Sequence, residues 1–244
     1  MTKRILSIVL LFALVIGLLP VFSFKTEAAP SATASEVTAL FNARSNGKHP
    51  RILADSDDFA RLRSQVQTDP YMAILYERVY DYALSELSTS VSVYEIPDGV
   101  RLLSVSRTAS QRIVWLSLAY HLSGERRFAD RAIAEMVAVS KFSDWHPAHF
   151  LDVAQMAYGV GLGYDWLYHE MTASQRNTVR TALYKYALTA TPGWSYKNTT
   201  SNWNPWCHGG VAIAAAAIFE DYSAESSEFI AGAVKDIQIG RAHV

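Results

Sequence analysis

The chain has 244 residues, of which 50% are hydrophobic and 18% charged, and its formal net charge is −1. This length can bury one large core or two small ones, and the near-zero charge argues against a nucleic-acid-binding protein, which is usually basic. The 10 Phe, 13 Tyr and 6 Trp residues exclude an intrinsically disordered chain. Glycine and proline are scarce, at 12 and 8 residues, which favours long helices over a turn-rich β architecture.

The N-terminus has the layout of a secretory signal peptide. A lysine and an arginine form a basic start, and an almost unbroken apolar run follows at 5–24. Small residues then supply cleavage sites after Ala28 or Ala34. An apolar run of this length also approaches that of a membrane-spanning helix, so an uncleaved anchor is the alternative. We predict a bacterial-type signal peptide at 1–28 and an exported protein, secreted or periplasmic, without a stable membrane anchor after cleavage.

Most of the remaining chain has the apolar periodicity of helices. Residues 29–47 are predicted to form a linker with a short helix at 37–43. Asp55 and Asp69-Pro70 are typical helix starts, because aspartate caps free backbone amides and proline fits the first turn. Residues 88–107 are predicted to be irregular. Further helices are predicted at 56–67, 70–87, 110–122, 126–139, 149–167, 173–190, 205–219 and 224–237.

Helices joined alternately by short links and longer loops predict a stack of helical hairpins. No fixed repeat recurs across the pairs, so an irregular toroid is favoured over a regular solenoid. The predicted fold class is all-α, an incomplete (α/α) toroid of helical hairpins at 48–238. Residues 239–244 match the translation of a short-read sequencing adapter, and we expect them to be an artefact that truncates the chain.

The segment 199–210 combines two Asn, two Trp, a His, a Cys and two Gly residues. Asn204 and His208 are four residues apart and share a helix face, with Asn202 just outside the predicted helix. Amide and imidazole groups near a helix N-terminus suit a carboxylate, and exposed tryptophans stack on sugars. The two glycines require that a neighbouring helix or a ligand approaches the backbone closely. In the alternative interpretation, Asn204 is only a helix cap and the tryptophans belong to the core.

Other chemical groups are less specific. Trp145, His146 and His149 lie in a loop that can line a cleft, but a capping loop with hydrogen-bonded imidazoles is the alternative. A metal site at the two histidines is not favoured, because a proline lies between them. Asp152 and Asp165 are acids in apolar helices, and hydrogen bonding to neighbouring helices is favoured over catalysis.

The single cysteine, Cys207, excludes an internal disulfide and a cysteine-rich zinc site. We predict that it is a small core residue and not a nucleophile. Tyr158 and Tyr164 are also predicted to belong to the core. No charge run marks a basic cleft, and no cofactor or metal is predicted.

Four segments together resemble the heparinase II/III-like family of polysaccharide lyases. Residues 202–210 are similar to the family's NWN-x-x-C-[NH]-G-G segment, and residues 49–53 to the HPRLL stretch where its toroid begins. Residues 123–132 and 150–167 resemble two further helical segments of the family. The resemblance covers about residues 48–220 and implies an (α/α) toroid followed by a β-sandwich domain, which we expect in the full-length protein and not in this truncated chain.

The resemblance also implies cleavage of a uronate-containing polysaccharide, such as a glycosaminoglycan, by β-elimination. This reaction needs a donor that neutralises the uronate carboxylate, a base for the C5 proton and an acid for the leaving O4. The resemblance places the donor among Asn202, Asn204 and His208, and it places a proton-transferring tyrosine and a β-domain histidine beyond residue 239. We therefore expect this truncated chain to be inactive alone. The predicted substrate-binding residues are Trp203, Trp206, Trp145, His146 and His149.

Two alternatives remain open at this point. One is a glycoside hydrolase on a similar toroid, which predicts paired carboxylates in the cleft beside the tryptophans. The other is a catalytically inactive glycan-binding fragment, which predicts binding through Trp203 and Trp206 without an unsaturated product.

Overall fold

The structure is a computed structural model, and it describes residues 31–45, 47–191 and 201–241, with side chains through 237. Within these ranges the regular elements are all helices, so the predicted all-α class is confirmed. The predicted signal peptide, most of the loop before Trp203 and residues 242–244 lie outside the described residues. None of the described helices is both long enough and apolar enough to cross a membrane.

The described part of the chain forms nine α-helices. A 3-10 turn (Tyr168–Glu170) precedes the seventh helix, and a π-helical segment (Leu183–Leu188) continues it. The α-helices are α1 (Ala34–Arg44), α2 (Ser56–Thr68), α3 (Pro70–Glu86), α4 (Leu103–Ser123), α5 (Arg126–Val139), α6 (Phe150–Trp166), α7 (Ala173–Ala182), α8 (Trp203–Ala217) and α9 (Ser223–Arg241).

Local capping signals set several helix ends where the sequence predicts them. The Asp55 side chain accepts hydrogen bonds from the first amides of α2, and Asp69 does the same for α3. Thr172 and Gln175 form a reciprocal capping box at the start of α7. Gly124 ends α4 with a φ of 77°, a left-handed conformation that glycine adopts without steric cost.

The start of α4 differs from the prediction. Residues 88–107 are predicted to be irregular, but α4 begins at Leu103. The backbone N–H of Leu102 donates to the Asp152 carboxylate at 2.7 Å. This contact joins residues 50 positions apart, so it leaves no local signal in the sequence.

Two other helices are longer than predicted. A capping box of Thr33 and Glu36 starts α1 at Ala34, three residues before the predicted helix. The helix packs on the main body, where Phe41 stacks on Phe219 with ring centroids 4.1 Å apart. At the other end of the chain, α9 continues to Arg241, past the predicted helix end at 237.

Helices α4 and α6 run parallel. Leu102 contacts Asp152 at the beginning of both helices, and the His121 ring lies 2.9 Å from the Trp166 carbonyl oxygen at their ends. Between these contacts, Gly159 approaches the backbone of α4 so closely that a Cβ there would lie 2.4 Å from the Ser110 α-carbon. Helix α5 follows α4 after a two-residue link and forms a helical hairpin with it.

Helices α6 and α8 also run parallel. Gly210 in the middle of α8 lies against Ala154 in the first half of α6, and further along both helices Ala214 lies against Gly161. Helix α6 therefore has a parallel neighbour on each side and is buried along nearly its whole length, as its apolar sequence predicts. The N-termini of α4, α6 and α8 consequently lie at the same end of the fold.

Asp165 near the end of α6 anchors the loop that precedes α2. Its fully buried carboxylate accepts the backbone N–H groups of Arg51 and Ile52 at 2.9 and 2.8 Å and lies 2.7 Å from Nδ1 of His49. The other ring nitrogen of His49 lies 3.7 Å from Glu220. Asp165 therefore has the predicted structural role.

Candidate functional site

A groove lies where the N-terminal turns of α4, α6 and α8 meet. Its volume is about 370 Å³. Helix N-termini carry partial positive charge, so three of them at one end of the fold favour a negatively charged ligand there. The residues that line the groove are Leu103, Arg107, Leu151, Gln155, Asn202 and Trp206.

Trp206 provides an exposed aromatic surface in this groove. Its side chain is 48% exposed, an unusual value for the largest apolar residue. The Tyr158 ring lies beside it, with ring centroids 6.1 Å apart. One turn of α8 further on, a Cβ on Gly209 would meet no atom within 4 Å. The indole therefore borders open space, which suits stacking against the apolar face of a sugar ring.

Arg107 supplies positive charge to the groove. It is exposed, and its guanidinium has neither a hydrogen bond nor an ion pair to any described residue. The neighbouring arginines differ: Arg101 is paired with Asp98 at 2.7 Å, and Arg112 is paired with Glu86 at 2.7 Å.

Nothing local in the sequence singles out Arg107. The residue falls in the segment predicted to be irregular, and the arginines at 101, 107 and 112 are too far apart to form a charge run that would mark a basic cleft. If α4 is predicted to begin at Leu103, then Leu103 and Arg107 lie one turn apart on a common face of the helix. That helix start depends on the hydrogen bond from Leu102 to Asp152, which is distant in sequence.

The three predicted carboxylate donors do not lie together. Asn202 is exposed and lines the groove. Asn204 and His208 share a helix face, as predicted, but that face packs against α9 and both residues are buried. The Asn204 amide donates to the Asp236 carbonyl oxygen at 3.3 Å, and His208 Nε2 lies 3.3 Å from the Asp236 carboxylate.

The predicted cap at Asn204 is also corrected. Helix α8 begins at Trp203, so Asn204 lies within the first turn of the helix. Nδ1 of His208 lies 2.9 Å from the backbone carbonyl oxygen of Asn204. Asn202 occupies the cap position but has helical dihedral angles, and its side chain makes no capping hydrogen bond. The Asn202 side chain thus has no structural task at the helix start.

The loop before α6 is organised by Asp152. This fully buried carboxylate lies 2.9 Å from Nδ1 of His146 and 2.6 Å from Nδ1 of His149. It also accepts the N–H of Leu102, so its structural role is as predicted. The two imidazoles are hydrogen-bonded, which matches the capping-loop alternative. Across the described ranges, no cluster of three or more His, Cys, Asp or Glu residues is placed to hold a metal ion.

The tryptophans of this region have different environments. Trp145 is fully buried and donates its indole N–H to the Val139 carbonyl oxygen at 3.0 Å, so it belongs to the core and not to a substrate-binding surface. Trp203 is half-buried and meets the His149 ring edge-on at 4.9 Å. Neither Trp203 nor His149 is among the residues that line the groove, whereas Trp206 is.

Cys207 is buried in α8, as predicted. Burial raises the pKa of its thiol to about 12, so the thiolate form that a nucleophile needs is disfavoured. The close contact expected at the glycine pair is also clear. A Cβ on Gly210 would lie 2.3 Å from the Ala154 carbonyl oxygen, so the approaching group is a neighbouring helix.

Taken together, the groove can hold a sugar ring on Trp206, accept its anionic group at Arg107 and donate a hydrogen bond from Asn202. Comparisons of the chain with protein-family models and with curated proteins found no match. The resemblance carried by residues 49–53, 123–132, 150–167 and 202–210 therefore remains a prediction.

Proposed function

We propose that the chain is the toroid part of an exported polysaccharide lyase that binds a uronate-containing polysaccharide in the groove at Trp206. The proposal rests on three side chains that line this groove together. The Trp206 indole is exposed, the Arg107 guanidinium has no partner among the described residues, and the Asn202 amide makes no capping hydrogen bond. An aromatic surface combined with positive charge suits an anionic sugar better than a neutral one. The resemblance to the heparinase II/III-like family supports the same substrate class.

The (α/α) toroid is part of this proposal. In such a fold, inner helices run parallel around a centre, and each is followed by an outer helix that returns. Helices α4, α6 and α8 are parallel neighbours, and α5, α7 and α9 are the respective next helices. The groove lies at the N-terminal end of the inner helices, where the loops between hairpins meet.

Asn202 is the proposed carboxylate donor. Of the three candidates, it is the one that lines the groove. Hydrogen bonding from its amide to the uronate carboxylate would stabilise the negative charge that develops when C5 loses its proton. A base takes the C5 proton, a double bond forms between C4 and C5, and the C4–O4 bond breaks as an acid protonates O4.

The hydrolase alternative finds less support. Its mechanism needs two carboxyl groups facing the sugar, and among the described residues that line this groove there is no carboxylate. Asp152 and Asp165 are fully buried, and each carboxylate is engaged by backbone amides and imidazoles.

A product assay tests the proposal. The full chain is incubated with polygalacturonate, alginate, hyaluronate and heparin, and unsaturated uronate is followed by ultraviolet absorbance. The resemblance places the proton-transferring tyrosine and histidine beyond residue 239, so we expect the chain alone to bind one of these polymers without releasing product. A longer chain that supplies both residues should release an unsaturated product, and Asn202→Ala should abolish that release. The control is Asn42→Ala, which removes an exposed amide on α1, remote in sequence from the groove. A longer chain that binds the polymer without releasing product would leave the inactive glycan-binding alternative. The absence of both binding and product would refute the proposal.

A further inference from the structure

We infer that Arg107 selects anionic sugars by binding the carboxylate of a sugar that stacks on Trp206. This inference rests on the proposed function, because it takes the groove to be a glycan site. It adds a specificity-determining residue outside the segments that carry the family resemblance.

Arg107 differs from most arginines of the fold in its environment. Among the arginines whose side chains the structure describes, only Arg44, Arg78 and Arg107 have a guanidinium with neither a hydrogen bond nor an ion pair. Arg44 lies in the last turn of α1, where a positive charge is favourable. Arg78 lines a separate, mainly apolar groove among α2, α3 and α4. Arg107 is therefore the arginine that combines a free guanidinium with the polar groups of the candidate site.

Arg107 lies near the N-terminus of α4, where a positive charge is unfavourable. It is the fifth residue of α4, and helical side chains lean toward the N-terminus. The guanidinium is thereby directed toward the first turn, where the helix dipole disfavours a positive charge. Within the described residues no carboxylate forms an ion pair with it, and the nearby Asp98 is paired with Arg101. A bound carboxylate would offset this unfavourable arrangement.

Arg107 borders a second cavity beside the groove. Leu103 and Arg107 also line a second cavity of about 330 Å³, whose other wall carries Asp98 and Arg101. The two cavities therefore adjoin, and Arg107 borders both of them. A polymer that lies in both passes Arg107 between Trp206 at one end and the Asp98–Arg101 pair at the other.

The chemistry of the guanidinium fits a carboxylate. Its planar donors bind two carboxylate oxygens at once, which gives orientation as well as attraction. A sulfate ester presents similar oxygens, so the experiment must separate the two groups. Alginate and polygalacturonate carry carboxylates alone, carrageenan carries sulfates alone, and methyl-esterified polygalacturonate has neither charge.

Calorimetric titration of the full chain with these polymers tests the inference. We expect Arg107→Gln to weaken binding of the carboxylate polymers about 10- to 100-fold and to leave binding of the methyl ester unchanged. Arg107→Lys keeps the charge but not the paired donors, so it should lie between the wild type and Arg107→Gln. Arg44→Gln is the matched control, because it removes an exposed and unpaired arginine remote in sequence from the groove, and it should bind like the wild type. Unfolding curves verify that each variant is folded.

The outcomes separate this inference from the proposed function. If the wild type binds none of the polymers, the proposed function fails. If it binds carboxylate polymers and Arg107→Gln behaves like Arg44→Gln, the inference is wrong while the proposed function stands. If Arg107→Gln loses the same affinity for the carboxylate and the methyl-ester polymers, Arg107 only shapes the groove and the inference is wrong. Stronger loss with carrageenan would assign Arg107 to sulfate and overturn the carboxylate assignment.

Discussion

Substituting the two adjacent glycines of α8 by alanine tests the packing that positions the groove. A Cβ on Gly210 would lie 2.3 Å from the carbonyl oxygen of Ala154 and 2.9 Å from its carbonyl carbon. These are backbone atoms of α6, so no side-chain rotation relieves the clash. A Cβ on Gly209 would meet no atom within 4 Å. The two substitutions are chemically identical and differ only in what lies opposite.

The expected free energies follow from these contacts. Alanine is favoured over glycine within a helix by about 1 kcal/mol, so Gly209→Ala should stabilise the fold by about that amount. Gly210→Ala has the same gain, but forcing α6 and α8 apart costs about 3 kcal/mol, at the upper end for overpacked cores. The net effect is a loss of about 2 kcal/mol, so the two variants should differ by about 3 kcal/mol.

Thermal and urea unfolding, followed by far-ultraviolet circular dichroism, measure this difference. For a chain of this size it corresponds to melting temperatures about 6 to 12 °C apart, with Gly210→Ala the lower. Equal stability of the two variants would show that α8 does not approach the α6 backbone. The groove between these helices would then need a different description.

Three further predictions concern the same region. Burial lowers the pKa of His49, but hydrogen bonds to Asp165 and Glu220 raise it above the ordinary value of 6.5. The resulting stabilisation is complete below pH 6.5 and is lost as pH rises through the folded-state pKa, so the stability advantage of the wild type over His49→Gln should shrink across that range in urea titrations. Asp152→Ala should lower the free energy of unfolding by about 3 kcal/mol, because a buried amide and two imidazoles lose their acceptor. Trp206→Ala should weaken polysaccharide binding about tenfold in calorimetry while leaving the melting temperature nearly unchanged.

Each of these predictions has a control and a contradicting result. A wild-type advantage over His49→Gln that does not change with pH would refute the linkage argument. Asp130→Ala removes an exposed carboxylate of α5 and should have little effect on stability. If it matches Asp152→Ala, the buried network is not the source of stability. Trp203→Phe keeps an aromatic ring beside His149 and should bind the polysaccharide like the wild type. If it loses as much affinity as Trp206→Ala, the sugar does not stack on Trp206 alone and the proposed binding face is wrong.

Local signals in the sequence predict much of this fold. Asp55, Asp69 and Thr172 cap helices through contacts with amides two or three residues away, and Gly124 ends a helix by its own conformation. Such features depend on neighbours in the chain, so they can be inferred without tertiary structure. The helix boundaries predicted from them agree with the structure within a few residues.

The site depends on contacts that are distant in sequence. The backbone N–H of Leu102, just before α4, donates to Asp152, 50 residues away. Without knowledge of this contact, the sequence predicts neither that Arg107 lies in a helix nor that it lines the groove. The pattern correctly places Asn204 and His208 on one face of α8, but it does not indicate that α9 covers this face. The sequence therefore identifies the chemical groups, whereas the packing of neighbouring helices determines that Asn202 and Trp206 face the groove.

The most direct test of the account is a crystal structure of the chain with an unsulfated uronate tetrasaccharide. The account predicts a sugar ring stacked on the Trp206 indole, with its carboxylate within hydrogen-bond distance of the Arg107 guanidinium and the Asn202 amide. An oligosaccharide bound elsewhere on the surface, or bound in the groove with its carboxylates facing solvent, would contradict the proposed site.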